Sequence, residues 1–227
     1  MLTGAIAFAV AALLRGRDGR AVPALLLSLA KPQLFVVAIP ALLLRHRRLI
    51  VPVVVSGIAI VVAATLLMPH WLDAWPRYVP ASRITDPPRA AVPASLAVVL
   101  LGPVGTAVAE AALVLLTIVI AVRFGLASVP GLAAWVALSV LAAPYAWSYD
   151  WLLLQVPFVL GVSALWPDRP ALASALTVTG TVLLTLVAAA FYAVAVETGS
   201  ERLSSVVPIA FALVLVIAMW PVARRAD

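Results

Sequence analysis

The chain has 227 residues, of which 65% are hydrophobic and 11% are charged, and its mean hydropathy is +1.18. This composition excludes a soluble globular domain, which needs a more polar surface, and predicts an all-α, polytopic transmembrane helical bundle. The net charge of +6 would suggest nucleic-acid binding in a soluble protein. In a membrane protein it marks cytoplasmic loops with lipids as partners, so we expect no nucleic-acid partner.

The predicted elements are apolar runs separated by polar turns. Seven runs are predicted to be spans, although the first is short, because a span needs about 20 residues. They are residues 2–14, 49–68, 102–122, 128–146, 151–166, 171–196 and 206–223. A polar stretch rich in Trp, Pro and Arg, residues 69–95, separates the second span from the third. We expect one membrane domain over residues 1–227.

The eighth apolar run, residues 21–44, is interrupted by Ala-Lys-Pro-Gln at 30–33 and contains the only lysine of the chain, Lys31. Pro32 breaks a helix because it lacks an N–H and clashes with the preceding turn. The two arms are roughly 15 and 18 Å long at 1.5 Å per residue. Each reaches about half of the roughly 30 Å hydrocarbon core, which predicts a re-entrant hairpin. Irregular backbone at that depth needs protein or a wet cavity around it, so the tip is expected to line a cavity.

The arginines decide between a hairpin and a crossing for residues 21–44. A crossing splits the arginines seven to seven, whereas a hairpin puts ten on one side and four on the other, the asymmetry typical of membrane proteins. The ten are Arg15, Arg17, Arg20, Arg45, Arg47, Arg48, Arg123, Arg169, Arg224 and Arg225. The four are Arg77, Arg83, Arg89 and Arg202. We therefore expect a multi-pass protein of the plasma membrane with a cytoplasmic C-terminus.

Lys31 is the first candidate for a functional residue. A lone ammonium in an apolar run costs about 2.5 to 3.5 kcal/mol on insertion scales and marks a functional site. It would bind a phosphate or pyrophosphate, helped by unpaired N–H groups at the start of the second arm and by Gln33. The alternative is a lysine that extends to the membrane interface for structural reasons.

The outer loop supplies further candidates. Aromatic side chains beside a carboxylate can hold sugars, and arginines kept on the outer face suggest an anionic ligand, although an interfacial aromatic belt gives the same pattern. The candidates are His70, Trp71, Asp73, Arg77, Tyr78, Arg83 and Arg89.

Two acids complete the candidate residues. Asp150 ends the turn 145–150, where it and Tyr149 would face the outer cavity, and the aspartate is either a general base or the N-cap of the next helix. Glu110 lies inside a predicted span, where it would either serve an ion pathway or pair within the bundle. The chain has no cysteine and only two distant histidines, so we expect no disulfide, no metal and no cofactor.

The segment 21–48, with Lys-Pro-Gln between apolar runs and a basic cluster at its end, resembles the membrane glycosyltransferases of the GT-C superfold. It is most similar to glycosyltransferase family 87 (DUF2029), the polyprenyl-phosphate-mannose-dependent mannosyltransferases. The turn 143–150, leading to Leu-Leu-Leu-Gln-Val-Pro at 152–157, is similar to a late motif of that family, and the helix start at Ser95 also fits.

The resemblance implies transfer of a hexose, typically mannose, from a polyprenyl-phosphate donor to a glycan or glycolipid acceptor at the outer face. Lys31 would contact the donor phosphate, assisted by Arg77, Arg83 or Arg89, and the aromatic loop would shape the acceptor groove. That superfold places its catalytic aspartate in the first large outer loop, whereas the first turn here is basic. We therefore expect the chain to match the C-terminal part of such an enzyme, inactive alone if that loop is required.

The catalytic base stays open between Asp73 and Asp150. A transporter or lipid flippase with a re-entrant binding site is the competing functional class. A third possibility is a non-catalytic membrane subunit.

Overall fold

The computed structural model describes residues 2–28, 31–35, 37–71, 73, 91–125, 128–143, 146 and 148–222. Within these ranges the chain is helical and contains no strand. The helices of the first half are α1 (Leu2–Leu14), α2 (Asp18–Ser28), α3 (Ala38–Arg45), α4 (Ile50–Leu67), α5 (Pro93–Leu101) and α6 (Gly105–Phe124). Those of the second half are α7 (Val129–Leu141), α8 (Gln155–Leu165), α9 (Pro170–Val182), α10 (Ala188–Thr198) and α11 (Val206–Met219).

Four helical stretches in the described ranges are long and apolar enough to cross a membrane: Arg47–Leu67, Pro93–Phe124, Pro170–Thr198 and Arg202–Met219. Three further apolar helices are shorter, Leu2–Leu14, Val129–Leu141 and Asp150–Leu165. The all-helical prediction is confirmed. Two predicted boundaries are wrong, because the run predicted at 128–146 leaves the α-helix after Leu141 and the run predicted at 151–166 becomes α-helical only at Gln155.

Helix α7 is the centre of the bundle. Twelve of its thirteen residues are buried, and it packs against α3, α6, α8 and α11. Helix α4 is the opposite case, because Val53 is its only buried residue among eighteen apolar or small ones. A helix with an apolar exposed surface of this kind is suited to lipid rather than to water.

Residues 18–46 turn back on themselves. Asp18 begins α2 and His46 follows α3, and their side chains approach to 3.7 Å between Oδ1 and Nδ1. The two arms are the 11 residues of α2 and the 8 residues of α3, which are roughly 16 and 12 Å long at 1.5 Å per residue. The two ends of this segment therefore lie together, as a segment that turns back requires.

Helices α5 and α6 also form a tight pair, because the chain changes direction at Gly102, whose φ of +67° favours glycine. Gly105 begins α6 directly against the backbone of Ala97. Gly105→Ala is expected to destabilise the protein by about 1 to 3 kcal/mol, since a Cβ there would overlap the carbonyl of Ala97. Equilibrium unfolding in mixed micelles measures the change.

Gly57→Ala is the matched control for this substitution. Gly57 lies inside α4, and a Cβ there would meet nothing within 4 Å. The variant is expected to be neutral or up to about 1 kcal/mol more stable, because alanine is the better helix former. Equal losses at both positions would contradict the packing assigned to Gly105.

Candidate functional site

The candidate site is built on the break between the two arms of the hairpin. Helix α2 ends at Ser28, and a single turn of 3₁₀ helix, Pro32–Phe35, precedes α3. The turn is held by backbone bonds from the Lys31 amide to the Ser28 carbonyl, 3.3 Å, and from the Leu34 amide to the Lys31 carbonyl, 3.1 Å. Lys31 therefore lies between the end of α2 and the 3₁₀ turn, next to Pro32.

Ser139 of α7 fixes the second arm. Its Oγ accepts hydrogen bonds from the amides of Val37 (3.2 Å) and Ala38 (3.1 Å) and donates to the carbonyl of Leu34 (3.0 Å). This uses the one donor and both acceptor positions of a hydroxyl. In the structure α3 begins at Ala38, so these bonds occupy the amides at the start of that helix, whereas the unpaired amides were predicted directly after Pro32.

Lys31 is paired with Asp150 across the bundle. The Nζ–Oδ1 distance is 2.6 Å, and the side chains are 28% and 5% exposed. A contact this short between opposite charges is a charge-assisted hydrogen bond, which is stronger than a neutral one. The pair unites two candidates that lie 119 residues apart in sequence, and it places the hairpin tip within side-chain reach of the turn after α7.

Asp150 is not the N-cap of the following helix. It lies within a 3₁₀ helix, Ser148–Leu154, and Leu154 occupies the N-cap position of α8. The interpretation of Asp150 as a helix N-cap is therefore wrong, and its carboxylate contacts Lys31 instead.

Three connecting segments lie together beside Asp150. The Ala91 amide donates to the Ala146 carbonyl, 2.9 Å, and the Ser148 amide donates to the carboxylate of Glu201. The start of α5, the turn before Asp150 and the turn before α11 therefore meet at one place.

An open pocket of about 430 Å³ adjoins Asp150 in sequence and in space. Its lining includes Ser148, Trp151, Gln155, Thr185 and Tyr192, and it borders a π-helical turn, Leu183–Val187. Such turns are frequent at functional sites. The indole Nε1 of Trp151 is buried and has no hydrogen-bond partner within the described part of the chain.

The outer-loop candidates do not join this site as far as the structure describes them. His70 and Asp73 are exposed, and the indole of Trp71 donates back to Thr65 of α4, 3.0 Å. Asp73 is therefore the weaker of the two aspartates proposed as the base.

The remaining candidates are only partly described. Arg77, Tyr78, Arg83 and Arg89 lie outside the described residues. Gln33 and Tyr149 lie in the two 3₁₀ helices, but their side chains lie outside the described part.

Glu110 does not face the bundle interior. It is exposed on α6, so neither an interior ion pathway nor a partner inside the bundle accounts for it. Within the described ranges no group of three His, Cys, Asp or Glu residues could hold a metal ion.

The open end of the hairpin carries a second polar group of residues. Burial lowers the pKa of His46 from its usual 6.5, Arg45 lowers it further, and Asp18 opposes both. The imidazole is thus neutral at neutral pH, and 3.7 Å is too long for a hydrogen bond to Asp18. The contact marks the closure of the hairpin rather than an ion pair.

This lowered pKa predicts a loss of stability in acid. The unfolded chain takes up the proton near 6.5 while the folded imidazole resists it, so the stability due to neutral His46 is present above that pH and falls as the pH decreases below it. His46→Gln is expected to reduce the loss between about pH 7.5 and about pH 5. Unfolding in mixed micelles across this range measures it.

His70→Gln is the matched control, because His70 is the other histidine and is exposed. It is expected to leave the pH profile of stability unchanged. If the two variants change the profile equally, the effect does not arise from burial of His46.

Ser139 is the part of the site that the sequence did not reveal, because a single serine in an apolar helix is common and has no local signature. Asp150 and Lys31 were each visible as charges in apolar surroundings.

No family model, no curated protein and no solved structure matches the chain. Its function is therefore argued from the geometry of the site.

Proposed function

We propose that the chain is a membrane-embedded hexosyltransferase module. It transfers a hexose from a polyprenyl-phosphate donor to a glycan or glycolipid acceptor at the outer face of the plasma membrane. Mannose is the hexose that we propose. The observation that carries the proposal is the Lys31–Asp150 pair at the tip of a helical hairpin. It brings a cation suited to phosphate and a carboxylate suited to accepting a proton to one point.

The cation fits the charge change of the reaction. A polyprenyl-phosphate sugar is a phosphodiester with one negative charge, and its leaving group is a phosphomonoester with up to two. An ammonium held beside the phosphate therefore binds the transition state more strongly than the donor, which is the condition for lowering the barrier. Lys31 retains 28% side-chain exposure, so a ligand can reach it.

The carboxylate fits the second half of the reaction. The acceptor hydroxyl oxygen attacks the sugar C1, the bond from C1 to the phosphate oxygen breaks, and the hydroxyl proton passes to the Asp150 carboxylate. The phosphate leaves with the bonding electrons and is held by Lys31. The contact with Lys31 orients the carboxylate before the donor binds.

The pocket next to Asp150 has a mainly apolar lining with a few polar groups, and it supplies space for a sugar ring. Trp151 and Tyr192 offer ring surfaces, and Gln155 and Thr185 offer polar atoms.

The membrane arrangement belongs to the same proposal. The four long helices and the three shorter apolar ones form seven spans, and residues 21–44 form a re-entrant hairpin that carries Lys31 into the membrane. With the ten arginines inside, the turn at Asp150 opens toward the outer face and the C-terminus is cytoplasmic.

A transporter or lipid flippase is the second candidate. The observation that favours it is the interrupted helix between Ser28 and Ala38 with a charge pair beside it, an arrangement that transporters use for binding sites.

The test is transfer from a radiolabelled polyprenyl-phosphate mannose by the chain reconstituted in liposomes, with folded protein quantified by gel filtration. Lys31→Met and Asp150→Asn are each expected to reduce turnover by about 100-fold or more. Arg169→Gln, an exposed arginine at the start of α9, is the control and is expected to retain it.

Undiminished turnover in folded Lys31→Met protein would overturn the site. Movement of the lipid donor across the bilayer without transfer of the sugar would support the transporter and contradict the enzyme. Neither transfer nor movement by wild-type protein would contradict the activity of this chain on its own.

A further inference from the structure

The open end of the hairpin contains a cationic cleft that the proposed transfer does not use. It has a volume of about 860 Å³ and lies between the start of α2 and the turn that leads into α4. Its charged lining is Arg17, Asp18, Arg20 and Arg48, and its apolar lining is Val22, Pro23, Leu49 and Pro52. We call these eight residues the hairpin-end cleft.

Most of the net charge of the chain is concentrated at this end. Residues 15–20 and 45–48 contain six arginines and one aspartate, which leaves five of the six net positive charges of the chain. Asp18 lies 3.7 Å from His46 and is the only carboxylate in these two segments. A field of one sign around a cleft attracts an anion.

Backbone and side-chain donors add to the charge. The 11-residue helix α2 begins at Asp18 in the cleft, and the first amides of a helix favour an anion. The side-chain donors are the guanidinium groups of Arg17, Arg20 and Arg48, which line the cleft.

The apolar lining decides the kind of anion. Val22, Pro23, Leu49 and Pro52 line the cleft together with the arginines, so an amphipathic ligand fits better than a free ion. Pro52 belongs to α4, where the nearby Val51 is 69% exposed and Val55 is 59% exposed. This apolar surface would receive acyl chains while the headgroup stays with the arginines.

We propose that the hairpin-end cleft binds the phosphate of an anionic phospholipid, with Arg17, Arg20 and Arg48 around the phosphate and the acyl chains along α4. The bound lipid ties α2 to α4 at the base of the hairpin. The inference does not depend on the transfer reaction, because the cleft and the Lys31–Asp150 pair lie at opposite ends of the two arms.

The test is native mass spectrometry of the purified chain released from micelles with increasing phosphatidylglycerol or phosphatidylcholine. Wild type is expected to bind phosphatidylglycerol preferentially, and added salt weakens this preference. Arg48→Gln is expected to weaken phosphatidylglycerol binding by about fivefold, and Arg17→Gln, Arg20→Gln and Arg48→Gln together by on the order of a hundredfold.

Arg169→Gln is the control, since it removes an exposed arginine outside the cleft. An equal loss in this variant, or equal binding of the two lipids by wild type, would overturn the proposal. Competition with inorganic phosphate tests whether the site binds a lipid or a free phosphate ion. Displacement of phosphatidylglycerol by millimolar phosphate would contradict a lipid site. The single variant and the salt dependence of wild type keep the test decisive if the triple variant fails to fold.

Discussion

Lys31→Met is expected to lower the free energy of unfolding by about 3 to 5 kcal/mol, in addition to its effect on turnover. The substitution keeps much of the side-chain volume but leaves the Asp150 carboxylate, which is 5% exposed, without its ammonium partner. Removing the ammonium of this partly buried pair is costly because the Asp150 carboxylate itself stays desolvated. Equilibrium unfolding in mixed micelles, followed by far-UV circular dichroism, measures the change.

Substitution of the other member of the pair, Asp150→Asn, is expected to lower the free energy of unfolding by less. Asp150→Asn leaves the ammonium of Lys31, but that side chain is 28% exposed and can be solvated more easily. The double variant Lys31→Met with Asp150→Asn removes both charges, so it is expected to recover stability relative to Lys31→Met without recovering turnover. Such a result would separate the structural role of the pair from its chemical role.

One outcome of this double-mutant cycle would contradict the coupling between Lys31 and Asp150. If the losses of the two single variants simply add in the double variant, the side chains are not coupled and the pair does not hold the site together. A coupling energy above about 1 kcal/mol is expected for two charges in direct contact.

Ser139→Ala is expected to destabilise the protein by about 2 to 5 kcal/mol. The change leaves the amides of Val37 and Ala38 and the carbonyl of Leu34 without the hydroxyl that satisfies all three. Each buried polar group left unpaired costs about 1 to 3 kcal/mol, and the cavity is small. Turnover is expected to fall as well, because Ser139 positions the arm that follows Lys31.

Ser28→Ala is the matched control. Ser28 is as buried as Ser139, but its hydroxyl donates only to the carbonyl of Ala24 in its own helix, 2.9 Å. That carbonyl also takes part in the backbone hydrogen bonding of the helix, so the loss of unfolding free energy is expected to stay below about 1 kcal/mol. Similar losses in the two variants would show that the hydroxyl of Ser139 is not the anchor of the hairpin.

The sequence by itself determined the class of protein and the path of the hairpin. Apolar runs of helical length predict helices because every backbone polar group in lipid must be bonded within its own segment. The arginine count predicted that residues 21–44 turn back, and the approach of Asp18 to His46 at 3.7 Å agrees with it. Both conclusions rest on local composition and on charge near the ends of elements, which a sequence displays directly.

The sequence also identified the two charged residues of the site, but not that they are in contact. Lys31 and Asp150 stand out because a charge in an apolar run is costly. Their separation of 119 residues gives no local signal of contact. The N-cap interpretation of Asp150 was wrong because the position of a cap depends on where the helix begins, and here a 3₁₀ segment, Ser148–Leu154, precedes α8.

Only the tertiary structure decided what surrounds the break in the hairpin. Whether the amides of Val37 and Ala38 stay open to an anion depends on which residue of α7 passes beside them, and that is set by how two helices pack. The single hydroxyl of Ser139 lies at this crossing and closes those amides. The amides at the start of α3 are therefore occupied because of helix packing, and Lys31 is the cation of the tip, held in place by a carboxylate from the other half of the chain.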